Sequence, residues 1–259
     1  MSDCYTLHQG SMPLLVSVPH DGRKIPDDIR ARMTPEGRAI PDTDWHVARL
    51  YDFVPEMGAS LLVADYSRYV VDLNRSSEDE ALYPGQVATG LCPARTFAGD
   101  VIYTCDDPVS AEEKARRVEH YWTPYHDCIK AELARLREMH GHAVLLDAHS
   151  IPSVVPRLFD GELPELNIGT FDGHSCGQER QDAVAAVATE SACSSVVNGR
   201  FKGGYITRNY GAPGNGIHAI QLEIAQRAYM NETSLDYDGS KARVLRETLR
   251  KMLSACTIP

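Results

Sequence analysis

The stretch 143-AVLLDAH-149 decides the architecture. A strand-sized apolar run that opens after a glycine and closes on polar residues reads as a buried β-strand. A second run, 14-LLVSVPH-20, ends the same way, with a histidine where the hydrophobic residues stop. In open α/β sheets, residues just past the carboxyl ends of strands line the ligand crevice. His20 and His149 therefore stand where chemistry is usually done, and Asp21, Asp147 and Ser150 keep their surroundings polar.

Working outward from these two strands, 60-SLLVADY-66, 166-LNIGTF-171 and 218-HAIQLEI-224 read as further strands, and 69-YVVDLN-74 as a short β-like run. Helices are predicted over 42–57, with Asp42 as N-cap, over 111–140, over 178–192 and over 240–253. In the second of these, Val118, Tyr121, Trp122, Tyr125, Ile129, Leu133 and Leu136 recur at helical spacing, and Pro124 should kink or split it. The Gly-rich stretch around 205-YITRNYG-211 reads as a Gly-flanked strand, with Tyr205, Thr207 and Asn209 on one side and Arg208 on the other. Strands alternating with helices give an α/β sandwich on a mostly parallel sheet. The long irregular stretch 76–108 is expected to be a lid or a pocket wall.

The chain has 259 residues and 43% hydrophobic content, enough for one sizeable core, and no internal repeat or linker divides it. One domain is expected. The net charge of −10 argues against nucleic acid or an anionic membrane as the main partner, while leaving room for a small anionic substrate in a local arginine pocket. Seven scattered cysteines with no C-x-x-C pair, no signal peptide and no membrane-length apolar run point to a reduced cytoplasmic protein with free thiols. Cys176, in a Gly/His/Ser loop, fits a small apolar filler better than a reactive thiol. Oligomeric state is open between a monomer and a small homo-oligomer.

A catalytic zinc site typically takes three protein ligands from His, Asp and Glu and leaves one position open. His20 and His149 can supply two, and 42-DTDW-45 offers the third, with Asp44 preferred over Asp42. Either histidine alone would read as a hydrogen-bonded core or surface imidazole; the pair at strand ends, with a carboxylate in reach, points to a metal site. Glu223 interrupts 217-IHAIQLEIAQ-226 on the face it shares with Gln221, opposite Ile220, Leu222 and Ile224. A carboxylate there must find a partner, face a cavity or shift its pKa. It fits a general base beside an activated water, or a salt bridge to an arginine. Arg68 and Arg75 flank one short apolar run, and Arg208 and Tyr205 lie in the Gly-rich stretch. Arginine clamps carboxylates bidentately, so these residues fit recognition of a small dianion, or else pair with the chain's own acids.

Taken together, 16-VSVPHDGRKIP-26, 42-DTDWHVARLY-51, 67-SRYVVDLNR-75, 89-TGLCPARTFAGD-100, 145-LLDAHSIPS-153, 167-NIGTFDGHSC-176, 200-RFKGGYITRNYG-211 and 218-HAIQLEIAQRAYM-230 resemble the N-formylglutamate amidohydrolases, in order and over nearly the whole chain. That family is similar to the zinc carboxypeptidases and aspartoacylases. The resemblance implies a three-layer α/β sandwich with a mixed, mostly parallel sheet and one zinc, or another divalent ion, per chain. It implies His20, Asp44 and His149 as ligands, Glu223 as base and Asn74-Arg75 as a clamp for a substrate carboxylate. The position three residues after the first histidine, a ligand in carboxypeptidases, is Arg23 here, so the third ligand must come from elsewhere. Asn209 stands where the family pattern often has histidine. The implied reaction is hydrolysis of N-formyl-L-glutamate to formate and glutamate, a step of histidine degradation. Cleavage of another N-acyl amino acid or small peptide is the runner-up, and a non-catalytic binder of acidic amino acids is a third reading. No G-x-S-x-G elbow supports a serine hydrolase.

Overall fold

The computed structural model describes residues 4–80, 89–105 and 109–257. Seven strands form one mixed sheet: β1 (Tyr5–His8), β2 (Leu14–Val18), β3 (Ser60–Ala64), β4 (Ala143–Ile151), β5 (Leu166–Gly169), β6 (Ser195–Val197) and β7 (Ile217–Ala225). Their order is β1-β3-β2-β4-β7-β5-β6. The four central strands β3, β2, β4 and β7 run parallel. β1 joins β3 antiparallel, and the β5-β6 pair joins β7 antiparallel. Every residue of β2 and β4 is buried, as parallel strands covered on both faces require.

Eight α-helices complete the described chain: α1 (Asp27–Arg30), α2 (Pro35–Arg38), α3 (Val47–Leu50), α4 (Ala111–Arg117), α5 (Thr123–His140), α6 (Gln178–Glu190), α7 (Tyr205–Tyr210) and α8 (Gly239–Cys256). Strand alternation sorts the core into two main clusters. Leu14, Val16 and Val18 of β2, Val144, Leu146 and Ala148 of β4, and Ile220, Leu222 and Ile224 of β7 pack with α3, α6 and α8. Leu15, Ala143, Leu145 and Ala219 point the other way, against Tyr125, Ile129, Leu133 and Leu136 of α5. The expected break at Pro124 takes the form of a π turn, Val118–Trp122, which hands over to α5 with Pro124 in its first turn.

Three expected elements differ. The helix predicted over 42–57 shrinks to α3 and a 3₁₀ turn, Pro55–Met57. Its amides are capped from a distance: Asp21 accepts from His46 N (3.3 Å) and Ala48 N (2.8 Å), whereas Asp42 accepts from Tyr69 Oη (2.7 Å) and Phe97 N (2.8 Å). The run 69–74 pairs with no strand and folds as turns, because Tyr69 and Val70 enter one small apolar cluster and Val71 and Leu73 another. The Gly-flanked strand expected over 205–211 is the helix α7. Part of the 76–108 stretch, at 81–88 and 106–108, lies outside the described residues; Thr89 and Phe97 from the rest reach the cavity described below. All seven cysteines are free, and Cys176 is buried with its thiol pushed up to about 11 by burial. Among the described residues, no helix is long and apolar enough to cross a membrane.

Candidate active site

One face of the central strands changes character along its length. Its first half carries Leu15, Ala143, Leu145 and Ala219, and α5 covers it. Toward the carboxyl ends the same alternation presents Ser17, Asp147 and Gln221 in one row, then His149 opposite Glu223 in the next. His20 lies two residues beyond β2, and its carbonyl accepts from Asp44 N (3.1 Å), which ties the two turns together. His20, Asp44, His149, Gln221 and Glu223 line a cavity of about 100 Å³ with Arg68, Asn74, Arg75, Thr89, Phe97 and Arg200. Its size suits a small molecule; pockets for drug-sized ligands run to roughly 300–1,000 Å³.

His20, Asp44 and His149 are all buried, and one donor atom from each lies within 4.8 Å of the others. Asp44 Oδ2 is 3.1 Å from His149 Nδ1 and 3.8 Å from His20 Nδ1. Behind His20, Asp72 Oδ1 takes the Nε2 position at 2.8 Å, so Nδ1 faces the other donors. Behind His149, Asp147 Oδ2 lies 2.9 Å from Nε2 and Asn74 Nδ2 3.0 Å from it. Carboxylates behind ligating imidazoles are the usual means of fixing ring orientation at a metal. Two of the converging atoms, His20 Nδ1 and Asp44 Oδ1, are buried with no hydrogen-bond partner, which is costly unless something else binds them. The donor set and the orphaned atoms fit a divalent ion such as zinc. Asp42, the alternative third donor, stays outside the group, held by Tyr69 and Phe97.

The titration pattern follows from burial and close charges. Burial opposes ionisation of Asp44, yet His149, His20 and Arg68 together hold its carboxyl below the usual range. Asp72 is held well below it: burial is outweighed by Arg68 and then His20. His20 is pushed down by burial and by Arg68, while burial of His149 is outweighed by Asp147 and Asp44, which raise it well above the ordinary value. A cation binding these donors would compete with the proton that His149 favours. Glu223 goes the other way, pushed up to about 8 by burial, with Gln221 Nε2 donating to it at 3.4 Å.

The arginines part company. Arg68 is buried, donates Nη2 to Asp72 (2.7 Å), lies 3.6 Å from Asp44 and stacks over Phe97 at 4.9 Å. Arg75 reaches the cavity wall and donates to Thr89 O (2.8 Å), Thr89 Oγ1 (3.0 Å) and its neighbour's carbonyl. Arg208 and Tyr205 do not line the cavity. Helix α7 turns Arg208 onto Phe171 (4.4 Å) and Tyr205 against the rings of Trp122 and His126 (5.9 and 5.6 Å), and leaves Asn209 exposed. Asp72 and Arg200 were missed by sequence reasoning. Asp72 carried the same signal as Glu223, an acid inside an apolar run; Arg200, whose Nε and Nη2 reach Leu158 O (3.0 and 2.8 Å), carried none.

The profile of the N-formylglutamate amidohydrolase family matches residues 12–230. The chain belongs to that family. Two curated N-formylglutamate deformylases, from Pseudomonas putida and Pseudomonas aeruginosa, are each 48% identical to it over 98% of this chain and 96% of their own. The crystal structure of an N-formylglutamate amidohydrolase from Ralstonia eutropha superposes with a TM-score of 0.84 at 26% identity, covering 97% of this chain and 96% of that one. A gene product of Agrobacterium tumefaciens shares the fold, with a TM-score of 0.73 at 22% identity and coverage of 98% and 96%. Membership of the N-formylglutamate amidohydrolase family thus rests on matches that run nearly end to end.

Proposed function

We propose that this chain hydrolyses the formamide bond of N-formyl-L-glutamate, giving formate and L-glutamate, with a divalent ion, zinc by its donor set, held by His20, Asp44 and His149. The observation that carries the reading is the convergence of these three buried donors beside Glu223, in a chain 48% identical to proteins named for this reaction. When bound, zinc supplies Lewis acidity that acidifies water and polarises the formyl carbonyl. The Glu223 carboxylate takes a proton from water as the C–O bond forms and returns it to the glutamate nitrogen as the tetrahedral adduct collapses and the C–N bond breaks. Asp72 and Asp147 hold the two imidazoles in orientation.

Arg75, at the end of the 67–75 segment, is placed to pair with a substrate carboxylate. Arg200, which lines the cavity where the expected Arg208 does not, is placed with Arg68 to meet the second carboxylate. We read the fold as a three-layer sandwich of the kind zinc carboxypeptidases use. The protein would then act as one catalytic domain on a small anionic substrate. The free cysteines favour the reducing cytoplasm.

The deciding experiment is formate release from N-formylglutamate before chelation, after chelation and after zinc readdition. Loss and recovery of turnover are expected; turnover indifferent to chelation removes the metal from the reading. Acetyl- and succinyl-glutamate and formyl-aspartate complete the panel. Equal rates across acyl groups would favour a broader N-acyl amino acid deacylase.

A further inference from the structure

The segment 72–75 lies in no strand, yet each of its four carbonyls has a donor. Asp72 O accepts from Arg75 N (3.2 Å) and Asn74 O from Arg75 Nη1 (2.9 Å). The other two donors come from across the fold: His126 Nε2 reaches Leu73 O (2.9 Å), and Trp122 Nε1 reaches Arg75 O (2.9 Å). Both side chains issue from one place, the end of the π turn and the first turn of α5. π turns are rare and concentrate at functional sites.

The two donors are themselves well fixed. The Trp122 and His126 rings stack with centroids 3.7 Å apart and planes 22° from parallel. Tyr210 of α7 stacks on His126 at 5.8 Å, and its hydroxyl meets His126 Nδ1 at 2.8 Å. Burial pushes the His126 pKa down to about 3, so the ring is neutral, with its proton directed by Leu73 O to Nε2. Neither Trp122 nor His126 lines the cavity.

What they grip matters to the site. Asp72 accepts from His20 Nε2, Arg68 Nη2 and Asn74 N at 2.8, 2.7 and 2.9 Å. Asn74 is fixed at both ends of its amide, with Oδ1 accepting from Ile206 N (2.8 Å) and Nδ2 beside His149. A Cβ on Gly204 would come within 2.3 Å of that amide, so only glycine lets α7 approach it so closely. Arg75 stands in the cavity wall.

We propose that Trp122 and His126 are positioning residues for this site, acting on it through the backbone carbonyls of Arg75 and Leu73. His126 sets Asp72 and Asn74 behind the two metal-facing histidines. Trp122 sets Arg75 against the substrate. The Trp122 half rests on the function proposed above; the His126 half is read by metal binding and does not need turnover.

Trp122→Phe keeps an aromatic ring beside His126 while removing the indole N–H and the five-membered ring that carries it. It is expected to raise KM for N-formylglutamate about 5-fold, the worth of one hydrogen bond, with kcat within about twofold and zinc affinity unchanged. His126→Leu is expected to weaken zinc binding about 10-fold in competition with a chromophoric chelator, as loss of the support behind a metal site does, and His126→Gln, which can still donate to Leu73 O, to recover most of it. An unchanged KM in Trp122→Phe overturns the first half, and equal zinc affinities in the leucine and glutamine variants overturn the second. If His126→Leu does not fold, Tyr210→Phe replaces it: the hydroxyl that fixes the His126 ring is gone and the stack remains. An approximately 3-fold weaker zinc complex is then expected, and unaltered binding counts against the proposal. Wild-type protein that releases no formate defeats the substrate reading alone, since the zinc measurements still decide the role of His126.

Discussion

The two faces of the same central strands are equally buried and do opposite things. On one face Val16, Leu146, Ala148, Ile220, Leu222 and Ile224 pack under α3, α6 and α8, with polar residues confined to the ends, at His218 and Ser150. On the other, Leu15, Leu145 and Ala219 give way to Ser17, Asp147, His149, Gln221 and Glu223 toward the carboxyl ends. The first face lowers the free energy of folding by removing hydrocarbon from water. The second holds ionisable groups in the same dry interior, where they are costly in isolation and reactive for that reason. One backbone thus serves stability on one side and chemistry on the other, and the period of two keeps them apart.

The sharpest test of that division is Glu223→Gln, which keeps shape and removes the base. Turnover should fall about 10²- to 10⁴-fold with zinc still bound, measured as kcat beside metal content. Near-normal kcat would place the base elsewhere. The mirror experiment is Ile220→Ala, one residue from Gln221 on the apolar face. It should lower unfolding free energy by about 2–5 kcal/mol in denaturant titration while kcat per folded molecule stays put. A large drop in kcat would mean that the faces are not independent. Asp72→Asn comes next, with zinc affinity expected to fall about 10- to 100-fold by chelator competition, since His20 keeps its place through that carboxylate.

The smallest effect runs against intuition. Glu223 is pushed up to about 8 by burial, so the folded protein favours its protonated form. Its contribution to stability is therefore full below the ordinary carboxylate value and is lost as pH rises through the folded one. Metal-free Glu223→Gln should gain stability over the wild type as pH rises from 4 towards 8, the difference vanishing near pH 4. Melting curves across that range check it. A gap that does not change with pH would assign the effect to packing instead.

The polar face was largely legible in the sequence, because a histidine or glutamate at the end of an apolar run contradicts its surroundings. His20, His149 and Glu223 all announced themselves that way, and the central strands with them. What could not be read were the segments whose backbone is satisfied from far away. The 69–74 run has the composition of a strand, but Arg117 and His126 take carbonyls that a ladder would use, those of Val70 and Leu73. The Gly-flanked stretch around Tyr205 read as a strand, yet it is a helix whose start, at Gly204, abuts Asn74. Asp42 looked like a helix cap because it precedes a helical pattern, yet Asp21, more than twenty residues upstream, does the capping. Local pattern identifies an element's chemistry, whereas long-range hydrogen bonds decide which loop becomes what.

That remote cap has a kinetic corollary. Asp21 follows His20 directly and clamps the start of α3, while the His20 carbonyl holds the amide of Asp44. The two turns therefore move as one rigid corner. Opening either should open both, so the amides of Ala48 and Asp44 are expected to exchange their hydrogens at matching rates.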